Sequence, residues 1–354
     1  MKPDFKVIAN DRDITDLLRD RLLSLRTTDK TGLESDDCEI MIDDRDGAVA
    51  FPEKGATLEI SLGYEGETLS FIGRYKVDEI EISGPPASMM IRGKPADLVS
   101  SMKEQKRRSW ENKTLDMIVG EIARDNRLQP LCSLTALIER ADQINESDMH
   151  FVTRMARQYG ATATVKDSKL IVAARGDGKS ASGRTLPSIT LHRDDIAGYS
   201  LAFPDRALYS VVQANYHNRA TGQLQTIVLT NQSAPGTAYA PKHTDRHIHP
   251  TETEAIAATE SRKASLNRAT VNGRIELMRG RADVGAEKTV QLVGIKDEVD
   301  GTYLIESVEQ NFSRTAWLTT IRINAGNEGK SSIGRGAVKN GNLKVLKVEQ
   351  VSIR

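Results

Sequence analysis

One short pattern of residues occurs twice in this chain and constrains its fold more than any other feature. The first copy has Gly73, Tyr75, Val77, Asp78, Ile80 and Glu81, and the second has Gly301, Tyr303, Ile305, Glu306, Val308 and Glu309 at the same offsets. A Gly-Ala pair precedes each copy, at Gly55-Ala56 and at Gly285-Ala286. Similarity at fixed offsets indicates a duplicated structural unit. The other interpretation is chance, because β-rich sequences draw on few residue types.

The segments around the first copy alternate apolar and polar residues, which is the period of a half-buried β-strand. The alternating apolar residues are Phe5, Val7 and Ala9; Cys38, Ile40 and Ile42; Leu58, Ile60 and Leu62; and Met89 and Ile91. Turn sequences separate these segments, and residues 14–25 contain one candidate helical turn. Short strands at this spacing predict a small barrel or sandwich over residues 1–97.

The period changes to that of a helix after Ala96. Leu115, Ile118, Val119 and Ile122 share one helical face, which predicts a helix over residues 112–124. A second helix is predicted after Asn145, with Glu146 and Asp148 as the acidic residues of its first turn and Gly160 at its end. A hairpin over residues 161–174 completes a helix-plus-hairpin α/β module at residues 98–175.

Strand patterns return after a polar linker at residues 176–184 and continue to residue 325. Within this range Thr251 and Glu254 form a capping box that opens a helix over residues 251–267. The predicted fold is therefore β-rich α+β: two β-barrel domains, the second at 185–325 with one helix, and the small module between them.

The C-terminus, residues 326–354, reads as a flexible linker followed by an interaction strand. Its apolar residues are Leu343, Val345, Val348, Val351 and Ile353. Such a strand adds to a partner or to a neighbouring subunit, or it folds back onto its own domain, and the sequence leaves both open.

Composition excludes several classes of function. The 354 residues include 49 Lys and Arg and 49 Asp and Glu, so the chain lacks the basic excess of a general nucleic-acid binder. Aromatic residues make up 5% of the chain, which disfavours a carbohydrate-binding surface. Cys38 and Cys132 match no metal spacing and fit a reducing compartment. With no apolar leader and no membrane span, we expect a soluble chain made and kept in the cytoplasm.

The strongest candidate for a metal site is the cluster of His243, His247 and His249, with Asp245 between them. The spacing matches no helical zinc motif, and the flanking prolines predict a loop, so we predict no metal and no cofactor.

Catalytic motifs are also weak. Glu146 and Asp148 are better explained as first-turn helix acids than as an acid/base pair. Gly178-Lys179-Ser180 resembles the end of a P-loop, but Ala173 stands where the first glycine is required. The basic run at residues 103–110 is typical of a solvated surface segment. We predict no catalytic residue, which indicates a structural or assembly role.

Several stretches resemble the late control D proteins, the baseplate hub proteins of contractile-tailed temperate phages and R-type tailocins. The resemblance covers nearly the whole chain. Its most specific stretches are residues 24–37 and 43–47; Ser109-Trp110-Glu111 with Thr114-Leu115; residues 142–148 with Phe151, Arg154 and 158–161; and Arg246-His247 with the helix that follows. The phrase Glu146-Ser147-Asp148 with Phe151 is shared with the hub part of type VI secretion spike proteins.

The resemblance implies a homotrimer with two tube-like β-barrel domains per chain at the end of the tail tube. Such a structural hub adapts the sixfold tube to a threefold membrane-piercing spike. The implied partners are other copies of the chain, the tail spike, and the tail tube or its initiator, with the tape-measure protein and the baseplate wedge as further partners. The five apolar C-terminal residues are the predicted docking tail for the spike or a neighbouring subunit.

The resemblance also bears on activity and location. It implies no enzyme; the alternative is a tail-tip peptidoglycan hydrolase with Glu146 or Asp148 as the acid. We expect assembly in the bacterial host cytoplasm into a virion tail or tailocin baseplate, with no nucleic-acid specificity and no integral membrane segment.

Overall fold

The computed structural model describes residues 1–32, 36–95, 100–166, 168–176, 178, 184–204, 209–231 and 241–330. These residues form a β-rich α+β structure with 21 strands and four α-helices. Within them, no helix is both long enough and apolar enough to cross a membrane.

The first barrel is an antiparallel sheet around its own apolar core. Its elements are β1 (Pro3–Ala9), β2 (Arg12–Asp13), α1 (Thr15–Arg19), β3 (Leu22–Lys30), β4 (Asp37–Asp43), β5 (Thr57–Tyr64), β6 (Ser70–Ser83) and β7 (Ser88–Pro95). The spatial order of the main strands is β3-β4-β7-β6-β5-β1. All the alternating apolar residues predicted here are buried except Ala9, which is half-buried, so the prediction of strands is confirmed.

The middle module has more strands than the sequence predicted. Its elements are β8 (Gln105–Thr114), α2 (Leu115–Asp125), β9 (Gln129–Cys132), β10 (Leu137–Ser147), α3 (Asp148–Gln158), β11 (Ala161–Lys166) and β12 (Lys169–Ala174). The helices and the β11–β12 hairpin are confirmed, but β8 and β10 form an antiparallel ribbon that was missed.

The ribbon corrects three predictions. The first helix begins at Leu115 rather than at residue 112, and most of the basic run lies in β8 instead of a solvated segment. Glu146 lies in β10, outside the first turn of α3, because the side chain of Ser147 caps that helix by accepting from the His150 N–H at 3.2 Å. Gly160, with φ of +67°, ends α3 as predicted.

The remaining elements belong to the second half of the chain. They are β13 (Ile189–His192), β14 (Ile196–Ala202), β15 (Val211–Asn218), β16 (Gln223–Thr230), β17 (Lys242–His249), α4 (Glu252–Arg268), β18 (Asn272–Leu277), β19 (Thr289–Val293), β20 (Gly301–Phe312) and β21 (Trp317–Asn324). β16, β15 and β17 form a separate sheet against which α4 packs. The predicted loop around His247 is therefore strand β17, and it pairs in parallel with β15.

The second barrel repeats the topology of the first. Its strands lie in the spatial order β14-β18-β21-β20-β19-β13, and each matches the first-barrel strand at the same place in the order and in the chain. One orientation differs, because β13 is parallel to β19 whereas β1 is antiparallel to β5. The β15–β17 sheet and α4 are inserted between β14 and β18, where the first barrel has only residues 31–36.

The repeated sequence pattern occupies equivalent positions in the two barrels. Tyr75 in β6 lies opposite Leu58 in β5, and Tyr303 in β20 lies opposite Val290 in β19. Both tyrosines are buried. The pattern therefore marks a true duplication.

The acid of each copy is the extra residue of a β-bulge. Pairing with the following strand skips Asp78 in β6 and Glu306 in β20. Matching bulges keep the two long strands in the same register and bend, because a bulge adds one residue to one strand only.

The Gly-Ala openings are not equivalent. The Val77 N–H donates to the Ala56 carbonyl oxygen at 2.9 Å, whereas the matching Ile305 N–H donates to Lys288 at 2.9 Å. Because Ala286 lies two residues before Lys288, this part of the resemblance is chance.

Candidate assembly site

The two barrels are fused edge to edge by one strand pairing, which we call the joint. The first half of β20 pairs with β19, and its second half pairs with β3 of the first barrel. The joint runs antiparallel from Ser307 opposite Lys30 to Phe312 opposite Leu25. The backbone hydrogen bonds of one sheet therefore continue through both barrels.

Aromatic side chains from the second barrel complete the core of the first. Phe312 packs edge-to-face on Phe5 with ring centroids 5.4 Å apart, and Trp317 lies 5.2 Å from the ring of Tyr64. Phe312 and Trp317 are both buried in the first barrel's core. Burying such a side chain contributes roughly 1.5–3 kcal/mol, so the barrels stabilise each other through the joint.

Gln310 is a buried polar residue at the joint, opposite the buried Thr27 of β3. Its side-chain oxygen accepts from Trp317 Nε1 at 2.9 Å and from Thr319 Oγ1 at 2.5 Å, and its Nε2 donates to the Arg281 carbonyl oxygen at 2.9 Å. A buried amide with its oxygen and nitrogen both bonded fixes the orientation of its neighbours.

The middle module is tied to the joint by a charged cluster. Lys166 Nζ lies 3.1 Å from Asp29 Oδ1 and 3.4 Å from Asp36 Oδ2. The second Asp29 oxygen accepts from the Ala286 N–H at 2.8 Å. Burial lowers the pKa of Lys166, but the two carboxylates outweigh it and hold that pKa above its ordinary value. The lysine therefore remains charged and links all three parts of the chain.

A cleft of about 940 Å³ lies between the module and the joint. Its lining carries charges of both signs, including Arg157, Arg322 and Glu309. Arg175 in this lining pairs with Glu306 at 3.4 Å. A mixed and partly paired lining suits the packing of polar surfaces better than it suits one charged small ligand.

Asp148, one of the two acids proposed for catalysis, is the centre of a buried network. Its carboxylate accepts from Lys106 at 2.6 Å, from Asn126 at 2.8 Å and from Gln143 at 3.0 Å, and it pairs with Arg108. The residue is fully buried. Two residues of the predicted basic run therefore act inside the module.

The protonation of Asp148 follows from these contacts. Burial raises the pKa of a carboxyl group, but the donors from Lys106, Asn126, Gln143 and Arg108 outweigh it and lower the pKa of Asp148 below its ordinary value. A deprotonated, enclosed carboxylate cannot serve as a general acid.

Glu146 is engaged as well. Arg154 donates to both of its oxygens, at 3.1 Å and 2.8 Å, and His150 Nδ1 lies at 3.2 Å. These pairs give the two acids an anchoring role and remove the basis on which they were proposed as a hydrolase pair.

The histidine cluster converges only in part: the rings of His247 and His249 lie 5.0 Å apart, edge to face. His249 Nε2 lies 3.3 Å from Asp245, whereas His243 accepts from Arg262 Nε at 3.0 Å. Burial and then the charge of Arg262 lower the pKa of His243. Across the described ranges, no group of three His, Cys, Asp or Glu residues is arranged to hold a metal ion.

Other predicted positions fall beyond what the structure describes. Of the P-loop-like triplet only Gly178 is described, while Lys179 and Ser180 lie outside the described residues. The same holds for the predicted docking tail, Leu343, Val345, Val348, Val351 and Ile353.

The residues of the joint were missed by sequence reasoning. Gln310 and Phe312 follow directly after the second copy of the repeated pattern. A difference between the two copies could have revealed them, because Ile82 and Gly84 stand at the matching positions of the first copy. Two units with the same topology but different residues at one edge indicate different neighbours there.

The fold and the joint define the class of this protein: a duplicated β-barrel protein whose predicted acids and basic run serve packing rather than chemistry.

Comparison with known proteins defines the family. A family model described as phage tail baseplate hub (GPD) matches residues 87–316. The chain is 30% identical over 362 residues to the probable baseplate hub protein of Escherichia phage P2, covering 91% of this chain and 93% of that protein. It is 30% identical over 361 residues to the corresponding protein of Escherichia phage 186, with coverages of 91% and 93%. The chain belongs to the phage tail baseplate hub family.

Solved structures share the fold. A 43 kDa tail protein of prophage MuSo2 from Shewanella oneidensis has a TM-score of 0.68 at 15% identity, covering 92% of this chain and 99% of that one. A tail protein from Neisseria meningitidis MC58 has a TM-score of 0.68 at 11% identity, with coverages of 94% and 99%. A type VI secretion component from Escherichia coli has a TM-score of 0.56 at 12% identity, with coverages of 91% and 76%.

Membership of this family makes the protein a baseplate hub protein of a phage tail and a component of the virion tail. Its two curated relatives are named for a structural position in the baseplate.

Proposed function

We propose that three copies of this chain form a ring that adapts a sixfold tail tube to a threefold spike in a contractile tail. The observation that carries the proposal is the duplication: two barrels with the same strand order and matching bulges, fused edge to edge. Two barrels in each of three chains provide six similar units around one axis, while the chain itself repeats three times.

The mechanism is geometric. A sixfold partner meets six similar barrel surfaces, and a threefold partner meets the features that occur once per chain, such as the middle module and the inserted sheet. Rings of this kind are held by obligate interfaces, which bury on the order of 2,000–5,000 Å². The proposed partners are the tail spike, the tail tube or its initiator, the tape-measure protein and the baseplate wedge, with assembly in the host cytoplasm.

The proposed domain limits follow the same division. They are residues 1–97 and 185–325 for the two barrels, 98–175 for the middle module, 176–184 for a linker, and 326–354 for a linker with an interaction strand. The three large apolar clusters are consistent with these limits, apart from Phe312 and Trp317, which cross the joint.

The oligomeric state tests the proposal. The purified chain is measured by native mass spectrometry in three samples: alone, with the spike protein, and with the tube protein of the same tail. We expect this measurement to detect a trimer of the chain. A chain that stays monomeric in all three samples would exclude the ring.

The C-terminal tail tests the contact with the spike. We expect a chain lacking residues 342–354 to keep its far-UV circular dichroism and to lose the spike in a pull-down. A matched pair separates apolar docking from mere length: Leu343→Ser with Val345→Ser should lose the spike, and Lys344→Ser with Lys347→Ser should retain it. Normal retention by the truncated chain would refute the role of the tail.

A further inference from the structure

The joint has a counterpart elsewhere in the molecule, in two strand edges that are left open. Because the barrels share one topology, the second half of β20 corresponds to the second half of β6, and β3 corresponds to β14. The bulges set the correspondence residue by residue. Ser307 matches Glu79, since each follows its bulge and pairs with an arginine of the next strand, Arg322 or Arg92.

The edge of β6 is open after its bulge. β5 pairs with β6 only up to Thr57 opposite Lys76, and the last backbone bonds on that side are made by Val77. From Glu79 to Ser83, no strand of the described chain pairs with this side of β6. In the second barrel the same stretch of β20 is where β3 docks.

The edge of β14 is open as well. β14 pairs with β18 on one side, and no described strand pairs with its other side. A bulge at the start of β14 matches one at the start of β3: pairing skips Leu23 in β3 and Ala197 in β14. Counting from these bulges, Leu25 matches Tyr199 and Thr27 matches Leu201.

Burial shows what each edge lacks. Val308 is 2% exposed and Gln310 4% exposed beneath the joint, while the matching Ile80 is half-buried and Ile82 is 55% exposed. Across the joint, Leu25 is fully buried, while its counterpart Tyr199 is 45% exposed. Apolar residues are thus exposed at the two edges where, by the internal example, a strand belongs.

We propose that β14 of one chain pairs antiparallel with the second half of β6 of the next chain, in the register of the joint. This inference rests on the proposed trimer and names its subunit interface. Copying the register of the joint places Ile82 opposite Leu201 and Ser83 opposite Ser200 within β14, and Ile80 opposite Phe203, which follows the end of β14.

The chemistry across this pairing is compatible. Ile80 and Ile82 meet apolar partners, and the acids Glu79 and Glu81 meet Pro204 and Ala202, so no like charges oppose one another. The contact is heterologous, joining the second barrel of one chain to the first barrel of the next. Such a contact closes into a ring when the rotation that relates neighbouring chains is a whole fraction of 360°. In a closed ring, both open edges of every chain are paired.

A cysteine pair tests the register. Ser83→Cys with Ser200→Cys, in one chain, places thiols at two exposed positions with minimal change of side-chain volume. Under mild oxidation we expect disulfide-linked dimers and trimers on non-reducing gels. The parent chain controls for the natural cysteines; Cys38 should stay unreactive, because burial raises the pKa of its thiol to about 12.

Two further variants make the result decisive. Arg26→Cys with Asn311→Cys is the matching pair within the joint, where these residues lie opposite each other, and should give a bridge inside one chain. Ser83→Cys with Ala202→Cys is two residues out of register. Its α-carbons would stand roughly 7–8 Å apart, beyond the range of a disulfide, so it should not link chains.

The outcomes separate the two proposals. Linked trimers from the Ser83/Ser200 pair but not from the offset pair support the interface. A trimer in native mass spectrometry without this linkage, while the Arg26/Asn311 pair does bridge, refutes the interface and leaves the trimer standing. A chain that is monomeric under every condition overturns both proposals.

Discussion

Replacing Asp148 with asparagine should destabilise the middle module, since the substitution keeps the shape of the side chain and removes its charge. Asp148 is fully buried between two cations, Lys106 and Arg108, and also accepts from Asn126 and Gln143. The asparagine amide would present its own hydrogens to two of these donors. Each such contact then becomes repulsive or remains unmade.

The magnitude follows from the burial of Asp148 and of its two cationic partners, Lys106 and Arg108. Breaking a buried ion pair by removing one member costs about 3–5 kcal/mol. The side chains of Lys106 and Arg108 are 27% and 26% exposed, so water can solvate them in part once the carboxylate is gone. We therefore expect a loss of roughly 2–4 kcal/mol in the free energy of unfolding of the module.

Tryptophan fluorescence can follow this unfolding. The chain has two tryptophans, Trp110 in the module and Trp317 at the joint. Trp110 stacks on Phe151 with centroids 4.6 Å apart, so its emission reports module packing. With Trp317→Phe in both proteins, the urea midpoint of the Trp110 signal should fall by about 2 M or more, taking a slope near 1 kcal/mol per molar urea.

The matched control is Glu146→Gln, because Glu146 pairs with the more exposed Arg154 and His150 and should lose less than about 1 kcal/mol. A midpoint for Asp148→Asn within about 0.3 M of its parent would refute the reasoning. The same two variants test the hydrolase alternative: lysis of peptidoglycan by the parent chain that either variant abolishes without unfolding would return these acids to catalysis.

Three further outcomes are expected. The stabilising contribution of Asp148 should be complete above its ordinary pKa of 3.8, and it should vanish only as the pH falls through its lower folded-state pKa. A Trp110 urea midpoint that declines between pH 7 and pH 5 in the parent, but not in Asp148→Asn, would contradict this. Gln310→Leu should cost about 1–3 kcal/mol for each buried group left unpaired, read from Trp317 emission in urea, and an unchanged midpoint would exclude the network. Gly93→Ala should lower the free energy of unfolding by about 1–3 kcal/mol in thermal unfolding, since the new Cβ would lie 2.6 Å from Cys38 Sγ. Cys38→Ala in the same chain should recover part of this loss, and strict additivity of the two changes would refute the clash.

The contact between Gly93 and Cys38 has a counterpart in the second barrel. In the first barrel Cys38 lies opposite Gly93, and at the matching positions of the second barrel Gly273 lies opposite Ile323. A Cβ on Gly273 would lie 2.6 Å from Ile323. Each barrel keeps one glycine in the pair, but on opposite strands, because the side chain facing that glycine leaves no room for a second Cβ.

Much of the fold could be predicted from the sequence because its signals are local. Burial alternates at every residue of β4 and from Thr57 to Leu62 in β5, and helices such as α2 carry one apolar face. The ribbon of β8 and β10 escaped prediction because most of its residues are polar and exposed or half-exposed, so neither strand shows a clean alternation. Its strand character comes from pairing across more than twenty intervening residues.

The candidate site divides in the same way. The sequence placed Asp148 in the first turn of a helix and predicted that the basic run is a solvated segment. That Lys106 and Arg108 point inward to Asp148 could not be predicted, because a charged strand facing a buried acid looks like a charged strand facing water. The histidines of β17 were predicted to lie in a loop because of the flanking prolines, whereas Lys242–His249 is a strand that pairs with β15.

The sequence by itself predicted that the chain holds two like units, since Tyr75 and Tyr303 fall at the same place in two copies of one pattern. Only the tertiary structure decided how these units relate. The joint is made by backbone hydrogen bonds between β3 and β20, which lie more than 250 residues apart in the chain and carry no local signature of their partner. The same structure shows that the inserted sheet of β15–β17 stands apart from the second barrel, because it packs on α4 rather than pairing with the barrel strands.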